Sequence, residues 1–287
     1  MEDFFLAGEI PNCAPEKAAI HIISAPLESS VSYGGGTAEG PKAILEASTQ
    51  LELWNGVSCP GEAGIHTAEV LDCSGGTQKS LNAIEKAVSF SSDCGAIPIV
   101  LGGEHTVTLG ALRALKKKYG NFGIVQFDAH ADLRDSYEGD SFSHACVMRR
   151  AVDELGLTVF QLGVRAMCLE EVEFRKEAGI RYIDSRELYL SGIPESLLPD
   201  DFPEKIYITF DVDGLDPSVI RATGTPVPGG IGWHDAMSLL ELAVQNRCVI
   251  GADVVELAPQ AGDHASDFAA AQLAYQLTAH CISSAGD

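Results

Sequence analysis

The chain has 287 residues, enough for one large domain or two small ones, and its 46% of hydrophobic residues is ample for a buried core. Its 19 basic and 41 acidic residues give a formal charge of −22. That balance argues against nucleic acid, whose binding rests on Lys and Arg neutralising phosphates, and against anionic membrane surfaces. It suits a cationic substrate, although most acidic proteins are merely soluble.

Short β-branched runs alternate with longer amphipathic ones along the chain. The pattern predicts a strand at 19–24, helices at 41–48 and 78–90, and a strand at 96–101. A helix at 106–118, a strand at 123–127, a helix at 145–155, a strand at 159–163 and a helix at 169–178 follow. Strands at 180–183 and 205–210, a helix at 233–246, a strand at 249–255 and a helix at 267–283 complete the series. In the 106–118 segment Leu109, Leu112 and Leu115 recur at helical spacing, and Lys116, Lys117 and Lys118 fall in the last turn, a solvated end suited to the helix dipole. Several strand runs are nearly continuous in hydrophobic residues, as parallel strands covered on both faces are. With no linker-like stretch and no fixed-period repeat, the expected fold is a single α/β domain over 1–287, a three-layer αβα with a central, mainly parallel sheet. Gly34-Gly35-Gly36 lacks the ending of a P-loop and the spacing of a dinucleotide site, and reads as a flexible loop leading into a helix at Gly40-Pro41.

The eight cysteines, at 13, 59, 73, 94, 146, 168, 248 and 281, contain no Cys-x-x-Cys pair and read as free thiols in a reducing compartment. The segment Met1-Glu2-Asp3-Phe4-Phe5 is acidic where a signal peptide is basic, and no apolar run reaches the roughly 18 residues of a membrane span. A cytoplasmic location is expected.

Three short stretches carry six candidate metal ligands, each after a strand-like run: His105 in Gly-Gly-Glu-His, Asp128, His130 and Asp132 in Asp-Ala-His-Ala-Asp, and Asp211 and Asp213 in Asp-Val-Asp-Gly-Leu-Asp-Pro. Ends of parallel strands converge on one crevice. In extended chain, residues i, i+2 and i+4 share a face, so Asp128, His130 and Asp132 point to a common site while small Ala129 and Ala131 point away. Alternating carboxylates alone usually mean a solvated turn, but that explanation would have to hold three times. Oxygen and nitrogen donors without thiolate favour ions such as Mn²⁺ over structural zinc. Four aspartates against two divalent cations and a bridging hydroxide leave a site of charge −1, which accepts a cation. Glu256 adds a further negative charge at a strand end.

Gly-Gly-Glu-His, Asp-Ala-His-Ala-Asp, Ser143-His144-Ala145, Asp-Val-Asp-Gly-Leu-Asp-Pro, Gly224-Thr225-Pro226 and the segment 254–259 occur in an order that resembles the ureohydrolase family, the arginase and agmatinase group of binuclear manganese enzymes. Residues 34–48 also resemble that family's N-terminal glycine-rich loop and helix, and the resemblance covers about 19–281. It implies an arginase-like fold and two Mn²⁺ on His105, Asp128, His130, Asp132, Asp211 and Asp213. It further implies a proton-transfer role for His144, a guanidinium-holding role for Glu256, and a homo-trimer or homo-hexamer. Read by themselves, His144 could cap the following helix and Glu256 could pair with a buried arginine. The chemistry expected is hydrolysis of a guanidino group to urea and an amine, with Asp132 taking the proton of the nucleophile and His144 passing one to the leaving amine.

For the substrate, the segment Leu133-Arg134-Asp135-Ser136-Tyr137-Glu138-Gly139-Asp140 has three acids, one arginine and no asparagine, and Ala166, Met167 and Cys168 stand where arginases carry acidic residues. An acidic rim over 135–140 is expected to repel a carboxylate and tolerate a distal ammonium. Agmatine, cleaved to putrescine and urea in polyamine biosynthesis, fits best, and Phe142-Ser143-His144-Ala145 resembles the agmatinase branch. The alternatives are another guanidino substrate (guanidinobutyrate, guanidine or arginine) or a non-catalytic metal-binding regulatory subunit.

Overall fold

A computed structural model describes residues 4–284, so the reading of Met1–Asp3 lies outside the described residues. The strands are β1 (Ile20–Ala25), β2 (Ile65–Thr67), β3 (Ile97–Gly102), β4 (Gly123–Phe127), β5 (Thr158–Leu162), β6 (Arg181–Ile183), β7 (Lys205–Asp211) and β8 (Cys248–Val255). They form one sheet in the order β2-β1-β3-β8-β7-β4-β5-β6, with parallel pairing throughout. The helices are α1 (Gly40–Ser48), α2 (Thr77–Asp93), α3 (Val107–Tyr119), α4 (Val147–Asp153), α5 (Leu169–Glu177), α6 (Ser185–Ser191), α7 (Trp233–Val244) and α8 (His264–Ser284).

Successive strand side chains point to opposite faces, and each face of the sheet has its own core. Ile22, Ile99, Leu101, Phe127 and Phe210 pack with residues of α1, α7 and α8. Ile23, Val100 and Ile124 pack with residues of α2, α3 and α4. This is the three-layer αβα arrangement that the hydrophobic pattern predicts. Two elements escaped the sequence reading. β2 is three residues long at the sheet edge, and α6 is a seven-residue helix with one packed leucine, Leu188, so neither carries a periodic signal. The predicted 145–155 helix is also shorter. A 3-10 turn, His144–Cys146, precedes α4.

Strand register places the site. Phe127 of β4 is level with Phe210 of β7, and their rings stack at 4.6 Å. Asp128 and Asp211 therefore leave the sheet side by side. Asp211 is level with Val255 of β8, which puts Glu256 next to them, and Leu101 of β3 is level with Val254, which brings the segment before α3 to the same edge. The four central strands thus deliver their next residues to one crevice at their carboxyl ends, as open parallel sheets do.

Candidate metal centre and cavity

All six predicted ligands meet in that crevice. His105 Nδ1 lies 3.2 Å from Asp128 Oδ2, 3.0 Å from Asp132 Oδ2 and 3.5 Å from Asp211 Oδ2. His130 Nδ1 lies 3.0 Å from Asp213 Oδ2 and 3.6 Å from Asp128 Oδ1. Asp128 therefore turns one oxygen to each imidazole and joins two donor groups, His105/Asp128/Asp132 and Asp128/His130/Asp213. Ala129 and Ala131 are fully buried behind the segment. Asp132 has a φ of 53° and Glu256 a φ of 65°. Left-handed backbone is costly for a glutamate in particular, and such strain collects at functional sites. At Gly214 a Cβ would stand 2.8 Å from the Asp128 nitrogen, so glycine lets the Asp211–Asp213 segment close onto the Asp128 segment.

A buried polar frame orients these ligands. The Asp211 Oδ1 accepts the Asp213 N–H at 2.8 Å, and Asp213 Oδ1 accepts the Ala129 N–H at 3.0 Å. Gln161 donates to the Gln126 side-chain Oε1 at 2.6 Å, and the Gln126 amide donates to Asp128 Oδ2 at 2.8 Å. His105 Nε2 meets Thr209 Oγ1 at 2.8 Å, and Thr209 donates to Asp253 Oδ1 at 2.7 Å. Asp253 also accepts from Thr108 and Tyr207, each at 2.7 Å. With Nε2 so engaged, His105 Nδ1 is left buried without a hydrogen bond, aimed at three carboxylates. Sequence reasoning missed this frame. Its signal was available in the polar residues Gln126, Gln161, Thr209 and Asp253 inside otherwise apolar strands, because a buried polar group needs a partner.

The electrostatics call for cations. Burial, then the charge of Asp128, pushes Asp132 up to about 7. Burial pushes Glu256 up to about 8, and it raises Asp211 with help from Asp213 and Asp128. Burial opposes charge on His130, but the carboxylates of Asp128 and Asp213 outweigh it and raise that imidazole to about 12. His130 and the carboxyls of Asp132, Asp211 and Glu256 are thus all shifted toward their protonated forms. Divalent cations on the same oxygen and nitrogen donors would neutralise the site in place of protons, and an orphaned His105 Nδ1 is the nitrogen such an ion would take.

A cavity of about 360 Å³ opens above the cluster, and His105, His130, Asp132, Asp211, Asp213, His144 and Glu256 all line it. Glu256 Oε1 accepts the His105 N–H at 2.7 Å. Among the described residues no Lys or Arg forms a salt bridge with Glu256, so the buried-arginine alternative finds no partner. His144 opens the 3-10 turn before α4 and has its Nδ1 3.1 Å from Ser30 Oγ. Burial lowers its pKa, Glu104 acts in the opposite direction, and His105 and His130 lower it further.

The mouth differs from the sequence expectation. Asp135, Glu138 and Asp140 do not line the cavity. Asp135 is exposed and paired with Arg150 at 2.7 Å, and Asp140 accepts the Phe142 N–H. The turn Tyr137–Asp140 closes by reciprocal backbone hydrogen bonds and swings these acids away. The same segment instead presents Arg134 and Tyr137, and opposite them stand Ala166, Met167, Cys168 and Glu171. Glu171, unnoticed in the sequence, is the acid at the mouth. It accepts from the Leu133 N–H at 3.0 Å and the Cys168 N–H at 2.8 Å, and the Arg134 Nε is 3.9 Å away.

Comparison with known proteins agrees with this architecture. The sequence model described as "Arginase family" matches residues 18–280. An N(1)-aminopropylagmatine ureohydrolase from Synechocystis sp. is 37% identical over 272 residues, 91% of this chain and 88% of that protein. An agmatinase from Pyrococcus horikoshii is 33% identical over 93% of each chain. The crystal structure of an agmatine ureohydrolase of Thermoplasma volcanium superposes with a TM-score of 0.84 at 31% identity, covering 97% of this chain and 94% of that one.

Proposed function

This chain belongs to the arginase family and acts as a hydrolase on guanidino C–N bonds, and from that premise we propose that its substrate is agmatine, cleaved to putrescine and urea. The observation that carries the hydrolytic chemistry is the shared Asp128, one oxygen to each of two donor groups, on the floor of a cavity that also holds Glu256 and His144, and the choice of agmatine rests on the names of the agmatinase and aminopropylagmatine ureohydrolase relatives. His105, Asp128, Asp132 and Asp211 would hold one divalent cation and Asp128, His130 and Asp213 a second, with Mn²⁺ matching the donor set. Two such cations would acidify water and so supply a nucleophile near neutral pH.

The side chains divide the remaining work. Glu256, its Oε1 fixed by the His105 N–H, offers its second oxygen to the guanidinium and holds the carbon over the cluster. Asp132, which lines the cavity beside the cluster, takes the proton released as water attacks. The C–N bond to the amine then breaks, and His144 delivers a proton to the leaving nitrogen. Water and a guanidinium cation thereby give urea and an ammonium ion. Glu171 at the mouth faces the distal ammonium. Agmatine extended at that amine by an aminopropyl group is the second reading, supported by the name of the Synechocystis relative and the room in a cavity of about 360 Å³.

Purified protein loaded with Mn²⁺ is expected to release urea from agmatine or its aminopropyl extension with a higher kcat/KM than from guanidinobutyrate, guanidine or arginine. No urea from any of these would leave only the regulatory-subunit reading. We also read the protein as cytoplasmic, from its scattered free thiols, and as a homo-trimer or homo-hexamer, as the resemblance implies, and light scattering would give the mass. No helix among the described residues is long and apolar enough to cross a membrane.

A further inference from the structure

We propose that Ser30, clamped by Glu104, is a positioning residue that holds neutral His144 in the tautomer with its proton on Nε2. The proposal rests on the reading of His144 as the proton carrier.

Glu104 is fully buried, and its carboxylate accepts three hydrogen bonds from one loop: the Ser29 N–H at 2.7 Å, the Ser29 hydroxyl at 2.9 Å and the Ser30 N–H at 2.7 Å. The backbone reinforces the clamp. Gly103 N–H donates to Ala25 and Glu104 N–H to Leu27, and a Cβ on Gly103 would stand 2.0 Å from the Leu27 oxygen. A glycine is needed for so close an approach. A buried carboxylate satisfied only by one loop fixes that loop firmly, because losing the contact would strand its charge.

Ser30 therefore has a set position, and it uses that position on His144 twice. Its Oγ accepts the His144 backbone N–H at 3.0 Å and lies 3.1 Å from the ring Nδ1. Among the described residues Nδ1 is the only protein acceptor in hydrogen-bond reach of the Ser30 hydroxyl. The Ser143 hydroxyl, 3.3 Å from the same nitrogen, is a second hydroxyl facing it. With its Oγ already accepting the His144 backbone N–H, the Ser30 hydroxyl has its proton to give to Nδ1, which makes Nδ1 the acceptor and leaves the ring proton on Nε2. The Tyr137 ring, edge-on at 5.8 Å, flanks the imidazole. Ser30 is partly exposed, so a proton can reach the ring from its side. In one turnover a solvent proton adds at Nδ1 as the Ser30 hydroxyl turns away, and the Nε2 proton passes to the leaving amine. One proton enters and one leaves. Exchange with solvent then restores the resting tautomer.

The test reads the tautomer directly. In ¹⁵N-histidine spectra of the metal-free full chain at alkaline pH, with His144 assigned by loss of its signals in His144→Gln, wild type is expected to show a protonated Nε2 and a bare Nδ1. Ser30→Ala should populate the Nδ1-protonated form, and Ser30→Thr should restore the original pattern. In Mn²⁺-loaded protein, Ser30→Ala should keep wild-type metal content and lose about 10-fold in kcat, part of the roughly 10²–10⁴-fold that a proton-transfer residue contributes. A wild-type ring protonated at Nδ1, or a Ser30→Ala ring with an unchanged pattern, overturns the proposal. Wild-type turnover in His144→Gln would instead overturn the proton-carrier reading, and the spectra would still decide the role of Ser30.

Discussion

At the floor of the cavity, His105, Asp128, Asp211 and Glu256 leave the sheet directly from or just after strand ends whose register fixes them. At its mouth, Arg134, Tyr137, Met167 and Cys168 hang from two connecting segments, and Glu171 from the first turn of α5. The floor is braced by buried polar pairs such as Gln126–Asp128 and Thr209–Asp253, whereas the mouth is held by a few backbone contacts to Glu171. On the proposed reading, strand ends carry the reaction and the mouth segments carry the choice of substrate, a division common to scaffolds that present function on their connecting segments. If that division is real, damage at the floor should abolish chemistry and damage at the mouth should only change affinity.

The largest effect is expected from Asp128→Ala, which removes the oxygens that face both imidazoles. Metal analysis should show loss of both ions, not one. Since bound metal is worth several kcal/mol of transition-state stabilisation, turnover should fall by about 10³-fold or more. A variant that keeps one tightly held ion would break the two-group description of the floor.

Glu256→Gln should come next. The amide oxygen can still accept the His105 N–H, so the metals should stay. The charge facing the guanidinium is lost. A hydrogen bond to a charged group is worth about 1.5–3 kcal/mol, which corresponds to roughly 10- to 100-fold in kcat/KM. A change confined to metal content would place Glu256 with the brace and not with the substrate.

The floor should also be the pH-sensitive part of the metal-free protein. Asp132 and Glu256 have their pKa values raised to about 7 and about 8, so the native state holds protons that the unfolded chain has already released. His130, raised to about 12, acts in the same direction. Native protons in excess mean that stability falls as pH rises, here between about pH 5 and 8. Differential scanning calorimetry of metal-free protein should show Tm dropping by several degrees across that window. Added Mn²⁺ should remove most of the drop, because cations take the place of the protons. A metal-free Tm that climbs from pH 5 to 8 would mean the carboxylates are not the repelling cluster described.

The same contrast explains what could be read from the sequence. Asp128-Ala129-His130-Ala131-Asp132 and Asp211-Val212-Asp213 follow short, mainly apolar strand-like runs, so both their ligand character and their place at strand ends were visible. The acidic segment 135–140 was visible too, but its direction was not. A turn closed by Tyr137 and Asp140, and an ion pair from Asp135 to Arg150, turn it away, and both depend on contacts that spacing does not encode. Glu171 sits in a helix with alternating charges, Leu169–Glu177, where one glutamate looks like the next. Its burial and its acceptor role toward Leu133 set it apart only after folding. Ser30 and Glu104 are likewise ordinary residues until the close contact at Gly103 brings their segments together.

The smallest effect, and the sharpest test of the mouth, is expected at Glu171. Its carboxylate is satisfied in part by two backbone N–H groups and lies 3.9 Å from the Arg134 Nε. Both of its oxygens are already engaged and the side chain is buried at the cavity wall, so its remaining attraction for an ammonium should be modest, about 1 kcal/mol. Glu171→Gln should raise the KM for agmatine about 2- to 5-fold and leave kcat unchanged, the signature of an interaction made equally in ground and transition states. Arginine, whose carboxylate the same glutamate opposes, should gain slightly, so the preference for agmatine should narrow. The combined variant Asp135→Asn, Glu138→Gln and Asp140→Asn should leave both KM values where they were, because none of those side chains lines the cavity. Steady-state kinetics on agmatine and arginine at two ionic strengths would decide between the sites. A salt-sensitive loss of preference in the triple variant, with Glu171→Gln silent, would show that long-range charge from the loop governs substrate choice and that contact at the mouth does not.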